Sequence, residues 1–253
     1  MKFTYFGSNT WLIELAGQTI LVDPWLRGNL SFGGQDWFFQ GKLQKTLPIP
    51  PRIDLILLSQ GLADHAHEPT LKVLDPQTPV VGSPTAAKVA ERLGYSQVTA
   101  LKPGDRLTWG TGAGAIEIEA VPGAPVPQVE NGYILSSVAS AQRIYYEPHA
   151  FFDPQISRFA PVDVLISPVV NLELPLLGPL IQGYTAAPEL VKLLQPKHIL
   201  PTATGGEVEF TGILMNLLKA QGTIAEFEAK LKTQGSSAIV KSLQPNETLE
   251  LVA

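Results

Sequence analysis

Residues 53–58, Ile-Asp-Leu-Ile-Leu-Leu, make a near-continuous apolar run. A strand that is polar on one side alternates; a run without alternation suits a strand covered on both faces. Such a sheet needs other layers against it, which holds the chain to a layered architecture. Val162 to Ser167 reads as another buried strand, and Pro196 to Leu200 as a further strand. Helix signals fall between them. Ser83-Pro84 supplies an N-cap and an N1 proline for a helix closed by Gly94. Thr185 caps a helix reaching Leu194, and Thr223-x-x-Glu226 is a capping box for one ending at Gly235. Phe210, Ile213, Leu214, Leu217 and Leu218 share a face at helical spacing, which predicts another helix.

The first half is strand-rich. Phe3 to Phe6, Trp11 to Leu15 and Gln18 to Val22 alternate as short strands, and Asp23-Pro24-Trp25 ends the third, since proline cannot continue a ladder. A long connection from Leu26 to Pro51, holding Trp37-Phe38-Phe39, reads as a lid or binding loop. Leu107 to Trp109, Ala115 to Val121, Gly132 to Val138 and Arg143 to Tyr146 form a second strand series, and Thr248 to Val252 closes the chain. Glu117 and Glu119 alternate on one strand face and are expected to be exposed. Gly205-Gly206 reads as a turn, and the Pro/Leu-rich stretch from Leu174 to Tyr184 as a loop lining a pocket or an interface. With no linker or low-complexity segment, residues 1–253 read as a single domain.

Composition narrows the function classes. Net charge is −5 with no Lys/Arg block, so nucleic acid is not an expected partner. The most apolar stretch, Ala160 to Tyr184, carries Asp163, Glu173 and four prolines, which argues against a membrane span. The N-terminus alternates like a strand rather than a signal peptide, so a cytoplasmic protein is expected. There is no cysteine, which removes thiolate ligands and a cysteine nucleophile. No Gly-x-Ser-x-Gly elbow occurs, which argues against a serine hydrolase.

Five segments carry a resemblance. Phe3-Thr4-Tyr5-Phe6-Gly7-Ser8-Asn9-Thr10-Trp11-Leu12-Ile13-Glu14, Ile20-Leu21-Val22-Asp23-Pro24-Trp25, Asp54 to Ser59, Ile144-Tyr145-Tyr146 and Ile199-Leu200-Pro201 occur in order. Together they are similar to the metallo-β-lactamase superfamily, most closely its lactonase-like, Zn-dependent hydrolase branch. The resemblance implies an α+β fold, a four-layer αββα sandwich. It also implies a metal loop of the form Thr-His-x-His-x-Asp-His. Here that loop is Ser59-Gln60-Gly61-Leu62-Ala63-Asp64-His65, so Gln60 and Leu62 stand in place of two histidines. Pro122-Gly123-Ala124-Pro125 falls where a third is expected, and Ala203 where the last is expected. His149, in Glu147-Pro148-His149, takes the place of the bridging aspartate.

The three-histidine site therefore has no good donor set, because Leu, Ala and Pro carry no donor atom and a neutral amide is a poor zinc ligand. The other half keeps Asp64 and His65 and gains His149: two nitrogens and a carboxylate, enough for one open zinc, or other divalent, site. The resemblance then implies a metal-activated water attacking a small ester or lactone, with Asp64 also accepting a proton. Asp23, at its strand end, is expected to support the metal loop or to accept turn hydrogen bonds. His67 lies outside the family pattern and is expected at the surface, or as a replacement ligand if the loop has been rebuilt; His149 is expected at the surface if it is an ordinary loop histidine, and His198 is expected to be structural. The second reading is a non-catalytic descendant that binds a small molecule or a protein partner. The apolar loops also allow association into a homo-oligomer.

Overall fold

The structure is a computed structural model that describes residues 1–125, 128–175, 178–204, 206 and 208–251. Strands β1 (Lys2–Gly7), β2 (Thr10–Leu15), β3 (Gln18–Val22), β4 (Leu30–Ser31), β5 (Gln40–Leu43) and β6 (Leu55–Leu58) come first. Helix α1 (Glu68–Leu71), β7 (Val80–Gly82), α2 (Pro84–Arg92), β8 (Val98–Ala100) and β9 (Arg106–Trp109) follow. Next are β10 (Ile116–Pro125), β11 (Val129–Ser137), β12 (Arg143–Tyr146), β13 (Val164–Ser167), β14 (Asn171–Leu174) and β15 (Gly178–Gln182). The remainder is α3 (Gly183–Leu194), β16 (His198–Pro201), β17 (Val208–Thr211), α4 (Ile213–Leu217), β18 (Lys219–Gln221), α5 (Ile224–Thr233), β19 (Ile239–Val240) and β20 (Thr248–Glu250). Contacts group these into two compact units, each drawn from separate stretches of chain. The first is Met1–Leu101, Gly205–Leu217 and Gln244–Ala253; the second is Lys102–Thr204 and Leu218–Leu243.

In the first unit a seven-stranded sheet runs β20-β1-β2-β3-β6-β7-β8. Pairing is antiparallel from β20 to β3 and parallel from β3 to β8. All four residues of β6 are buried, as its unbroken apolar run requires. One face of the sheet presents Leu21, Ile56, Leu58 and Val80 to Leu71, Leu74, Ala86, Ala90 and Tyr95. Ser83 caps α2 through the Ala86 amide, with Pro84 in the first turn.

The stretch from Leu26 to Pro51 is not a plain lid. It contributes β4 and β5, and β17 pairs with β5 to make a small sheet, β17-β5-β4. Trp25, Phe39 and Phe210 pack around it, while Trp37 is 64% exposed. Gly41 leaves room for the Trp25 ring, whose Cη2 would stand 2.7 Å from a Cβ there. The helix expected over 210–218 is shorter, Ile213–Leu217. Phe210 belongs to β17, whose ladder to β5 outweighs the helical spacing, and Gly212 (φ +108) turns the chain between the two.

In the second unit the sheet runs β19-β16-β13-β12-β11-β10-β9. Strands β9 to β12 pair antiparallel, and β12, β13, β16 and β19 pair parallel. Helices α3 and α5 cover one face, where Ala187, Leu190, Leu194, Phe227 and Leu231 pack on Tyr145, Leu165 and Ile199. The Thr223–Glu226 capping box opens α5 as the sequence predicts. The stretch from Leu174 to Tyr184 is not a loop: β14 and β15 form a hairpin joined by β18, and Gly183 already begins α3. Leu176 and Leu177 lie outside the described residues, as do Gly205 of the expected Gly205-Gly206 turn and Val252 of the last strand, which is seen to Glu250.

Glu119 is buried rather than exposed, because two cations meet it: Arg106 at 2.8 Å and Arg158 at 2.7 Å. Asp163 ties three strands together. It accepts from the Arg143 amide and from Lys197 Nζ, and its carbonyl accepts from the His198 amide. Burial alone would raise its pKa, but the Lys197 ammonium and the Arg143 amide hold it below the usual carboxylate value. A depressed carboxyl pKa contributes stability above the unfolded value that is lost as pH falls through the folded one. We therefore expect Asp163→Asn to cost about 1 kcal/mol at neutral pH. Urea titrations of the two proteins should converge as pH is lowered below the ordinary Asp value of 3.8.

The two large sheets repeat one plan. In each, an antiparallel half and a parallel half share one junction strand, β3 in the first unit and β12 in the second.

Candidate metal centre

The loop after β6 is fixed by its first residues. The Gly61 amide donates to Thr85 Oγ1 at 2.9 Å, and a Cβ on Gly61 would stand 2.7 Å from the Thr85 carbonyl carbon. Only a glycine passes so close to the first turn of α2. Beyond it the amides of His65 and Ala66 both reach the Leu62 carbonyl, closing a single turn that places Asp64 and His65 side by side.

Asp23 organises the pair from beneath. It follows β3 at φ 40, a left-handed conformation that aspartate tolerates better than most residues. Its carboxylate accepts from the Ser59 amide at 2.7 Å, the Ser59 hydroxyl at 2.5 Å and His65 Nδ1 at 2.7 Å. Asp23, Ser59 and His65 are all at most 1% exposed. The Nδ1 proton is thus committed to Asp23, and Nε2 is the nitrogen turned to the site, 3.2 Å from Asp64 Oδ2. Burial pushes the His65 pKa down, but the charges of Asp64 and Asp23 and their hydrogen bonds more than offset this, raising it to about 10. Two carboxylates around one imidazole demand a cation, and a second proton or a metal ion on Nε2 meets the same need. This is not a Ser-His-Asp triad. His65 turns one nitrogen to both partners, and the Ser59 hydroxyl donates to Asp23.

His67 is 1% exposed, which corrects its expected place at the surface. Its Nδ1 meets Thr70 Oγ1 at 3.0 Å and its Nε2 the Asn29 carbonyl at 3.1 Å. Thr70 Oγ1 in turn accepts from the amides of Leu26 and Arg27. The carbonyl can only accept, so Nε2 carries the proton and Nδ1 accepts from Thr70. Burial holds the ring's pKa below 6.5. His67 is a strut between α1 and the 26–29 segment, with both nitrogens occupied.

His149 lies in the second unit, in the turn after β12. Its side chain is 13% exposed, so it is not an ordinary surface histidine. Its amide donates to Glu147 Oε2 at 3.0 Å, and its carbonyl accepts from the Gln182 amide at 2.9 Å. Pro122 to Pro125 continue β10 and have no donor side chain among them. Ala203, two residues past β16, has φ 55. His198 is half-buried in β16, with its pKa lowered by burial and by Lys241 and Lys197.

A family model described as the Beta-lactamase superfamily domain matches residues 2–203. The chain belongs to the metallo-β-lactamase superfamily. Across 99% of its length it is 24% identical to a UPF0173 metal-dependent hydrolase of Pyrococcus furiosus, all of which the match covers. Among solved structures it is similar to Igni18, a metallo hydrolase from Ignicoccus hospitalis, at 20% identity and a TM-score of 0.67. It is also similar to an isothiocyanate hydrolase from Delia radicum gut bacteria, at 16% identity and a TM-score of 0.70. Each likeness covers 99% of both chains. The fold is accordingly the α+β metallo-β-lactamase fold. No helix among the described residues is long and apolar enough to cross a membrane.

Two parts of the superfamily's metal machinery separate in this chain. The loop that should bring two histidines brings buried Gln60 and half-buried Leu62, which do not fit a zinc site. The Asp64–His65 half does fit one: a carboxylate and an imidazole side by side, the ring oriented from behind by a buried carboxylate. The sequence puts Asp64 and His65 in the loop and Asp23 at the end of β3, and the structure joins Asp23 to the loop through Ser59 and His65. Sequence reasoning missed Ser59 as the link between Asp23 and the loop, and Glu147 as the partner of the His149 turn. The signal for both was available as an acidic residue before proline at a strand end, Asp23-Pro24 and Glu147-Pro148.

Proposed function

We propose that this chain is a metal-dependent hydrolase of reduced metal content, with at most one divalent ion, taken to be zinc, held by Asp64, His65 and His149. One observation carries the reading: His65 lies between two carboxylates with Nδ1 committed to Asp23 and Nε2 turned to Asp64. Membership of the superfamily supports it, as does the name of the Pyrococcus relative. A divalent ion held there supplies Lewis-acid activation of a small ester or lactone and of the attacking water. The chain's own residues do the rest. Asp23 fixes the tautomer and direction of His65, Ser59 locks Asp23 to the loop, and Asp64, 26% exposed, can take up a proton as water attacks.

The test is a zinc titration of chelator-treated protein by calorimetry, followed by an ester and lactone panel. Wild type should bind one ion. His65→Ala and His149→Ala should each weaken binding about 100-fold or more, since each removes one of three protein ligands. Equal zinc affinity in wild type and His65→Ala would sink the metal reading. Gln60 and Leu62 in place of histidines favour a second reading, a non-catalytic descendant that binds a small molecule or a partner. That one requires protein that takes up no zinc and hydrolyses nothing on the panel.

A further inference from the structure

The two junction strands end alike. Asp23 follows β3 and precedes Pro24; Glu147 follows β12 and precedes Pro148. The Asp23 amide donates to the Leu57 carbonyl at 3.0 Å, and Leu57 is paired with Val22, the last residue of β3. The Glu147 amide donates to the Ile166 carbonyl at 3.1 Å, and Ile166 is paired with Tyr146, the last residue of β12. Both carboxylates are 0% exposed. Each accepts from backbone in the segment that carries a candidate histidine, Asp23 from one amide and Glu147 from two.

The partners differ for a physical reason. Asp23 takes the amide of Ser59, the residue after β6, and reaches His65 through the side chain. The matching residue after β13 is Pro168, which has no amide to give. Glu147 instead turns back on its own loop, where Oε2 accepts from the amides of His149 at 3.0 Å and Phe151 at 2.8 Å. Ala150 between them has φ 60, and Gly132 leaves the space, since a Cβ there would stand 3.0 Å from Glu147 Cγ. Glu147 Oε1 is 3.7 Å from His149 Nδ1, beyond a hydrogen bond. The hydrogen bonds by which the carboxylate holds the His149 turn therefore run to its backbone amides.

We infer that Glu147 is a positioning residue, the second unit's counterpart of Asp23, and that it sets the conformation from which His149 presents its imidazole. As applied to metal binding, this rests on the reading in which His149 is a ligand. The test uses the full chain stripped of metal, with zinc as the probe and amide hydrogen exchange over residues 147–151. Glu147→Gln keeps an oxygen able to accept both amides, so zinc affinity should stay within about threefold. Glu147→Ala should lose about 10–100-fold, and so should Glu147→Asp, whose carboxylate falls short of both amides. Exchange at His149 and Phe151 should quicken in Glu147→Ala and Glu147→Asp but not in Glu147→Gln.

A glutamine variant as weak as the alanine variant would mean that the charge itself is required, which overturns positioning in favour of ligation. Folded alanine and aspartate variants with wild-type zinc affinity and wild-type exchange would overturn it too. If His149→Ala binds zinc as wild type does, or wild type binds none, the metal reading fails. The exchange data then decide on positioning alone: unchanged protection of the His149 amide in Glu147→Ala and Glu147→Asp rejects it.

Discussion

Replacement of Asp23 by alanine should destabilise the protein by about 3–5 kcal/mol, the cost of removing one partner from a buried charged network. The side chain is small, so the loss is not mainly one of packing. What goes is the acceptor for the Ser59 amide, the Ser59 hydroxyl and His65 Nδ1, three donors within 2.7 Å in a site closed to water. Alanine must also hold the φ of 40 that aspartate adopts there, a further strain. The Asp23→Asn variant avoids that second cost, because asparagine accepts left-handed φ, and it keeps one acceptor oxygen. Its amide NH2 then faces a donor, so we expect about half of the alanine cost. Urea denaturation followed by circular dichroism measures both. An alanine variant within about 1 kcal/mol of wild type would show that the network is not what holds the loop.

Trp25→Ala should cost a similar amount, about 3–5 kcal/mol, here through packing. Trp25 is 2% exposed and sits where three pieces of the first unit meet. Its ring lies 5.8 Å from that of His67 and 6.4 Å from that of Phe210, and Nε1 donates to the Gly28 carbonyl. Gly41 and Gly28 show how closely the surroundings are fitted, with Cβ positions 2.7 Å from the Trp25 ring and 3.1 Å from Pro69. A cavity of indole size cannot be closed by small shifts when the walls are a sheet and a helix held by Thr70 and His67. Trp25→Phe restores most of the volume and should leave a deficit of about 1–2 kcal/mol, from the lost hydrogen bond and the smaller ring. If the phenylalanine variant is no better than alanine, the hydrogen bond rather than the packing carries the effect.

Much of the fold was legible because its strands carry their own pattern. The unbroken apolar run of β6, the capped starts of α2 and α5, and proline after β3 each follow from local chemistry. Several of the failures are of one kind. Phe210 reads as helical, the 26–51 stretch as a lid and Glu119 as exposed, yet each is decided by a partner distant in sequence. β5 takes up Phe210, β17 turns the lid into a sheet, and Arg106 with Arg158 makes a buried glutamate tolerable. His67 belongs with them, for a histidine two residues beyond a metal motif gives no sign that a threonine and a distant carbonyl will enclose it.

Residue type alone points to the superfamily, and it shows that Gln60, Leu62 and Ala203 stand where the resemblance calls for histidines. What Asp23, His65 and Glu147 touch is visible only in the folded chain. His65 could have faced solvent or backbone; the buried carboxylate of Asp23 turns its Nε2 to Asp64. Glu147 could have been an ordinary loop acid; its place after the junction strand bends the His149 turn around it. A buried carboxylate must find its donors wherever the fold brings them: Asp23 finds Ser59 and His65 far along the chain, whereas Glu147, facing a proline where Asp23 faces an amide, closes on its own turn.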